Sequence, residues 1–174
     1  MKLKSFNFRK ILMSKPFIFG LVFIVIAVAA GFAINTIRHN RAEHDAFIGD
    51  IENLYYYLKR EPRNLETFSI LREGDNVAIS AWQNYLSTHN TKIRNYERML
   101  VENKADFGHF KESVLLEKLS EALEIFKDIR TENLERVEGR PEYSLDEFEE
   151  LKNQLIAILE DIAEKGRALG IDLR

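Results

Sequence analysis

The sequence predicts an all-α protein in which one N-terminal transmembrane helix continues into an up-down antiparallel four-helix bundle with a short inserted helix. Three observations carry that expectation. Residues 17–34 read FIFGLVFIVIAVAAGFAI, without a charged or strongly hydrogen-bonding side chain. Beyond them, apolar residues recur every three or four positions and never sustain a period of two. The helical stretches are punctuated by Pro62, Gly74, Gly108, Gly139 and Pro141. A chain of 174 residues has room for one domain and an anchor.

The first element is a basic tail, residues 1–16, followed by the membrane helix, 17–37, in which Asn35, Thr36 and Ile37 complete the span. About 20 residues at roughly 1.5 Å each cross a hydrocarbon core of about 30 Å, and only a helix satisfies the backbone there. A cleaved secretory signal is the rival reading, with Ala27-Val28-Ala29 or Gly31-Phe32-Ala33 as the cleavage site. The apolar run is longer than the roughly 7–15 residues of a signal core, so a retained anchor is expected. Five basic residues precede the span (Lys2, Lys4, Arg9, Lys10, Lys15), whereas Arg38 and Arg41 behind it are soon joined by Glu43, Asp45 and Asp50. The positive-inside rule then predicts a cytoplasmic N-terminus and an extracytoplasmic domain over 38–174, and the expected setting is a bacterial inner membrane with that domain in the periplasm. Ala27 with Gly31, and Ala29 with Ala33, give small-xxx-small spacings that admit close approach of a second membrane helix.

Phe47, Ile51, Leu54 and Leu58 follow at spacings of four, three and four, so the membrane helix is expected to run outward as far as Pro62. A short helical turn around Leu65, Phe68 and Leu71 should end at Gly74, and Asp75 or Asn76 should cap the next helix. That helix carries a heptad-like stripe of Trp82, Leu86, His89, Ile93, Tyr96 and Leu100 to about Asn103. After Gly108 a further helix is marked by Leu116, Leu119, Leu123, Phe126 and Val137 and closes at Gly139 and Pro141. Ser144 and Glu147 are spaced as a capping box for the last helix, whose apolar face is Phe148, Leu151, Leu155, Ile158 and Ile162, with Gly170 as its stop. The major helices should be about 24–28 residues long and joined by short loops.

Charge and composition exclude several functions. Residues 1–41 contain seven basic side chains and no acid, leaving 18 Lys and Arg against all 28 Asp and Glu in the remainder. An acidic surface repels phosphate backbones, so no nucleic acid is expected as a partner. The absence of cysteine excludes disulfides, thiolate metal sites and cysteine nucleophiles. The four histidines, His39, His44, His89 and His109, make no Glu-x-x-His motif, and His109 to Glu112 is a single reversed spacing. Phosphate loops, nucleophile elbows and zinc-protease motifs are likewise missing, so no catalytic residue, metal or cofactor is expected.

Candidate binding residues remain. His89 lies on the apolar stripe, where an imidazole can hold a ligand or sense pH but more often serves as a hydrogen-bonded core side chain. Trp82 with Tyr85, and the run Tyr55-Tyr56-Tyr57, suit a pocket or partner surface. Three successive tyrosines span about 200° of a helix, so one must face outward, and Tyr56 is the candidate. The acids concentrated between Glu112 and Glu164 are expected to form a solvated face, with docking of a cation or a basic partner as the alternative.

The order of elements resembles single-span bacterial inner-membrane proteins with helical periplasmic domains. It is also similar in outline to the four-helix sensor domains of chemoreceptors. Such receptors return through the membrane to a cytoplasmic output domain, and residues 38–174 contain no second span. The expected function is therefore that of a non-catalytic accessory or scaffold protein, set in the lipid bilayer and presenting its helices to other membrane subunits or to its own copy. The alternative is a small-molecule or ion sensor whose output lies in a partner subunit.

Overall fold

The structure is a computed structural model that describes residues 15–69 and 76–173, including their side chains except those of 15–18, 20, 21, 62–69, 76–78 and 82. Most of the basic tail, the turn at Leu71 and Gly74, the cap position Asp75 and the side chain of Trp82 lie outside the described residues. The described residues are nearly all helical and form no strand. Helix α1 is Lys15–Ser69, α2 is Asn76–Phe107, α3 is Val114–Val137 and α4 is Leu145–Leu169, with a 3₁₀ turn at Lys111–Ser113 between α2 and α3. The chain divides into two compact units, Met1–Asp45 and Ala46–Arg174.

In the first unit the apolar part of α1 is uncovered on every side. Phe19, Phe23, Ile24, Val25, Ile26, Val28, Phe32 and Ile37 are all exposed, as are Ala27, Ala29, Gly31 and Ala33. This helix is long and apolar enough, by length and composition, to cross a membrane. Thr36 fits such a segment because its hydroxyl donates to the Phe32 carbonyl one turn back, at 3.0 Å.

In the second unit the same helix changes character. The four-three-four spacing of Phe47, Ile51, Leu54 and Leu58 places all four on one face, and all are fully buried. They share a single core with Leu115, Leu119, Leu123, Phe126 and Ile129 of α3 and with Leu155 and Ile162 of α4. Burying a side chain of this size contributes roughly 1.5–3 kcal/mol relative to leaving it exposed. Contacts between α1 and α2 pair Phe47 with Phe107, Asp50 with Asn103, Tyr57 with Tyr96 and Glu61 with Tyr85, so numbering rises along one helix as it falls along the other. The ion pairs Lys104 with Glu117 and Lys127 with Glu97 repeat that relation between α2 and α3. Lys118 with Asp161 and Arg136 over Phe148 repeat it between α3 and α4.

One expectation is corrected. Pro62 does not end the helix, and the turn placed around Leu65 and Phe68 is no separate inserted helix, because α1 continues unbroken to Ser69. Proline removes one amide donor and disfavours helix by about 3 kcal/mol. Here it directly follows a turn held in the core by Tyr57, Leu58 and Glu61, all buried, and that packing outweighs the local preference. Helix α2 also runs one turn past Asn103, where the Phe107 ring packs at a tilt against Phe47 and stacks on Phe110, with centroids 5.1 and 5.7 Å away.

The turns follow local chemistry. At Gly108 a Cβ atom would stand 2.8 Å from the Lys104 carbonyl oxygen, so only glycine fits that close approach. Ser144 accepts from the Glu147 amide while the Glu147 carboxylate accepts from the Ser144 amide at 2.8 Å, the reciprocal cap of α4. Gly170, at φ 90°, closes the helix, and the Ile171 amide donates to the Gly166 carbonyl at 2.8 Å as Ile171 and Leu173 turn into the core.

Candidate functional site

Three helices bring polar side chains together inside the second unit. Tyr57 and Glu61 are one turn apart on α1, Tyr85 and His89 one turn apart on α2, and Arg130 follows Phe126 by one turn on α3. That i, i+4 spacing sets each pair on one face, and the apolar packing of the same faces draws them inward. Glu61 is only 1% exposed and Arg130 only 5%, so two ionisable groups sit in a core that is otherwise largely aliphatic and aromatic.

Glu61 is held by its neighbours. The Tyr85 hydroxyl donates to its Oε2 at 2.6 Å, Arg60 Nη2 lies 3.6 Å from Oε1, and His89 Nε2 lies 3.8 Å from Oε2. His89 Nδ1 is 2.8 Å from the Tyr85 carbonyl, which only accepts, so Nδ1 carries the proton and Nε2 faces Glu61. The imidazole stacks on the Tyr85 ring at 4.0 Å. Burial, reinforced by the Glu61 hydrogen bond and charge, holds the Tyr85 hydroxyl well above the ordinary tyrosine value, and burial beside the same carboxylate does so for Tyr57. Burial lowers the Arg130 guanidinium, against the pull of Tyr57, Tyr85 and Glu61.

Arg130 Nη2 donates to Asn90 Oδ1 at 3.1 Å. Its Nε and the Tyr57 hydroxyl are both buried without a hydrogen-bond partner among the described residues. The two groups border the same ring: the Phe126 centroid is 5.7 Å from that of Tyr57 and 5.9 Å from the Arg130 guanidinium.

The residues singled out from sequence separate here. Tyr85 and His89 belong to the cluster. Tyr56 points elsewhere: it is 42% exposed, while Tyr55 and Tyr57 are buried, and its hydroxyl donates to the Asp172 carbonyl at 3.0 Å. Ala27, Ala29, Gly31 and Ala33 lie on the uncovered part of α1. Glu61 and Arg130 were not anticipated, because charge in a helical stretch ordinarily marks a solvated face. Their only sequence signal is register, since Glu61 continues the Leu54 and Leu58 row and Arg130 the Phe126 row.

A second ion pair, between buried Glu132 and half-buried Arg136, is structural. Glu132 and Arg136 meet at 2.7 Å. The Glu132 carboxylate accepts from the amides of Glu142 and Tyr143, and Arg136 donates to the Tyr143 and Ser144 carbonyls. Together they fasten the α3–α4 connection.

Between α2 and α3 lies a groove of about 440 Å³ whose floor is Leu100, Leu116 and Leu123 and whose banks carry Glu97, Glu117, Glu121 and Glu124. Among the described residues no group of three or more His, Asp and Glu side chains is placed to hold a metal ion. Comparison with known proteins finds no family model, no curated protein and no solved structure that matches this chain.

Proposed function

We propose that the protein is a non-catalytic accessory or scaffold protein, anchored by a single span in a bacterial inner membrane, that presents a helical domain to a membrane complex or to its own copy. The observation that carries this reading is the change along α1, from a segment whose large apolar side chains are uncovered to one whose apolar face is fully buried. Uncovered apolar surface of that length suits a bilayer, which accepts a helix with its backbone bonds made internally. In this reading 1–16 is cytoplasmic, 17–37 spans the membrane, and 38–174 is periplasmic, following the basic residues ahead of the span. The opposed numbering of the helix contacts supports an up-down antiparallel four-helix bundle.

The test is paired. A reporter active only in the periplasm, fused after Arg174, should be active, and activity of a cytoplasmic reporter alone overturns the orientation. Tagged full-length protein extracted in mild detergent should elute with a stoichiometric subunit or as an oligomer. Ala27→Leu with Gly31→Leu fills the small-residue groove and should weaken that association if the anchor contributes to it. A monomer with no partner would overturn the accessory role.

The second reading, a small-molecule or ion sensor with its output in a partner subunit, is favoured by one observation: the buried, unpartnered polar atoms of Tyr57 and Arg130. A panel of small metabolites and ions should then contain one that raises the melting temperature of the wild type and not of Arg130→Met. Equal shifts in both proteins would remove this reading.

A further inference from the structure

We propose that the C-terminal end of the span holds an anionic phospholipid, its phosphate gripped by Arg38 and Arg41 and its acyl chain laid along Ile34 and Ile37. The proposal rests on the reading of 17–37 as the membrane span and names the lipid class that this span recruits. Helical spacing assembles the site. Ile34, Ile37, Arg38 and Arg41 stand at i, i+3, i+4 and i+7 of one unbroken helix, so they share a face two turns long. Ala30, one turn before Ile34, extends that face toward the middle of the span with a side chain small enough to leave room for an acyl chain. All five residues are exposed.

The chemistry of this face changes at one peptide bond. It is apolar through Ile37 and cationic from Arg38, with the two guanidinium side chains rooted about 5–6 Å apart at Cβ. That separation lets both planar forks close on the oxygens of one phosphate. Their charge is available, because neither arginine has an ion pair among the described residues. Glu43, the acid nearest the span, lies on the opposite side of the helix at 100° per residue and pairs there with His39 at 3.1 Å. Asp45 shares the arginine face but stands one turn beyond Arg41, about 6 Å farther from the span. An occupant must therefore be apolar against Ile34 and Ile37 and anionic against Arg38 and Arg41. A phospholipid of the surrounding bilayer meets both demands. A soluble anion meets only the second, and a zwitterionic lipid carries an ammonium that already neutralises its phosphate.

The chain contains no cysteine, so Asn35→Cys supplies a single attachment point for a fluorophore beside the proposed lipid. The labelled full-length protein is placed in phosphatidylcholine nanodiscs doped with an equal small fraction of phosphatidylglycerol or phosphatidylcholine, each brominated on its acyl chains to quench at short range. Quenching should show at least about fivefold local enrichment of phosphatidylglycerol over phosphatidylcholine, a preference of about 1 kcal/mol. The preference should vanish in Arg38→Gln with Arg41→Gln and strengthen in Asp45→Asn. It should survive Lys10→Gln with Lys15→Gln, since Lys15 precedes the label by about 30 Å of helix. Quenching by the phosphatidylcholine form, unchanged in each variant, shows that the helix still spans.

Equal quenching by the two lipids overturns the proposal, as does a preference that outlasts the double arginine change or disappears with the tail lysines. Loss of the preference on adding inorganic phosphate at constant ionic strength also overturns it, and assigns the arginine pair to a soluble anion. Failure here is distinguishable from failure of the anchor. No quenching by either lipid puts residue 35 outside the bilayer and removes the anchor together with this site. Equal quenching by both leaves the anchor standing and removes only the lipid site.

Discussion

The clasp between Glu61 and Tyr85 can be weighed quantitatively. The Tyr85 hydroxyl donates at 2.6 Å to a carboxylate that is 1% exposed. A hydrogen bond to a charged, buried acceptor is worth about 1.5–3 kcal/mol, against about 0.5–1.5 kcal/mol between neutral groups. Tyr85→Phe removes the donor at nearly constant volume and should cost about 2 kcal/mol, lowering the melting temperature by roughly 6–12 °C for a unit of this size. Glu61→Gln keeps an acceptor oxygen and removes the charge, so adding Tyr85→Phe to it should cost only about 1 kcal/mol more. The assay is denaturant unfolding of the four proteins followed by circular dichroism, with the coupling taken from the double-mutant cycle. A coupling indistinguishable from zero, or a loss below about 0.5 kcal/mol for Tyr85→Phe, would refute the argument that this bond ties α1 to α2.

Further outcomes follow from other sites. The hydroxyls of Tyr57 and Tyr85 are held above the ordinary tyrosine value, so the folded state keeps protons that the unfolded chain gives up. Stability should therefore be complete below about pH 10 and fall as pH rises above it, with some tyrosines ionising only on unfolding in a spectrophotometric titration. Gly170→Ala forces a side chain into the left-handed region at φ 90° with nothing within 4 Å of the new Cβ. Its cost should be the backbone strain alone, about 1–2 kcal/mol in chemical denaturation. Phe126→Ala opens the centre of the core beside Tyr57 and Arg130 and should cost about 3–5 kcal/mol by the same measurement. A fragment starting near Asn40 should be soluble, helical by circular dichroism and cooperative in melting, and a disordered spectrum would contradict an independent core.

Features set by neighbouring residues were legible in the sequence. The Ser144 and Glu147 cap, the close approach at Gly108 and the positive φ of Gly139 and Gly170 each depend on a few adjacent positions. The buried face of Phe47, Ile51, Leu54 and Leu58 was equally legible because helical periodicity alone sets it. Pro62 misled, since its local penalty is visible in sequence whereas the packing of Tyr57, Leu58 and Glu61 that overrides it depends on distant helices. The candidate site was half legible for the same reason. Aromatic character and register singled out Tyr85 and His89, but the burial of Glu61 and Arg130 is a property of three helices at once.

The hook at the end of the chain bears on the order in which the protein can be made. Tyr56 donates to the backbone of Asp172, 116 residues later. At about 5–20 residues per second, a ribosome needs roughly 6–23 s to pass from one to the other. During that interval the face of α1 bearing Phe47, Ile51, Leu54 and Leu58 has been synthesised while the helices that cover it are unfinished. Biogenesis therefore includes a window in which a nascent aliphatic strip needs shelter, whether from the insertion machinery or a holding chaperone, and in which premature termination would release an aggregation-prone product.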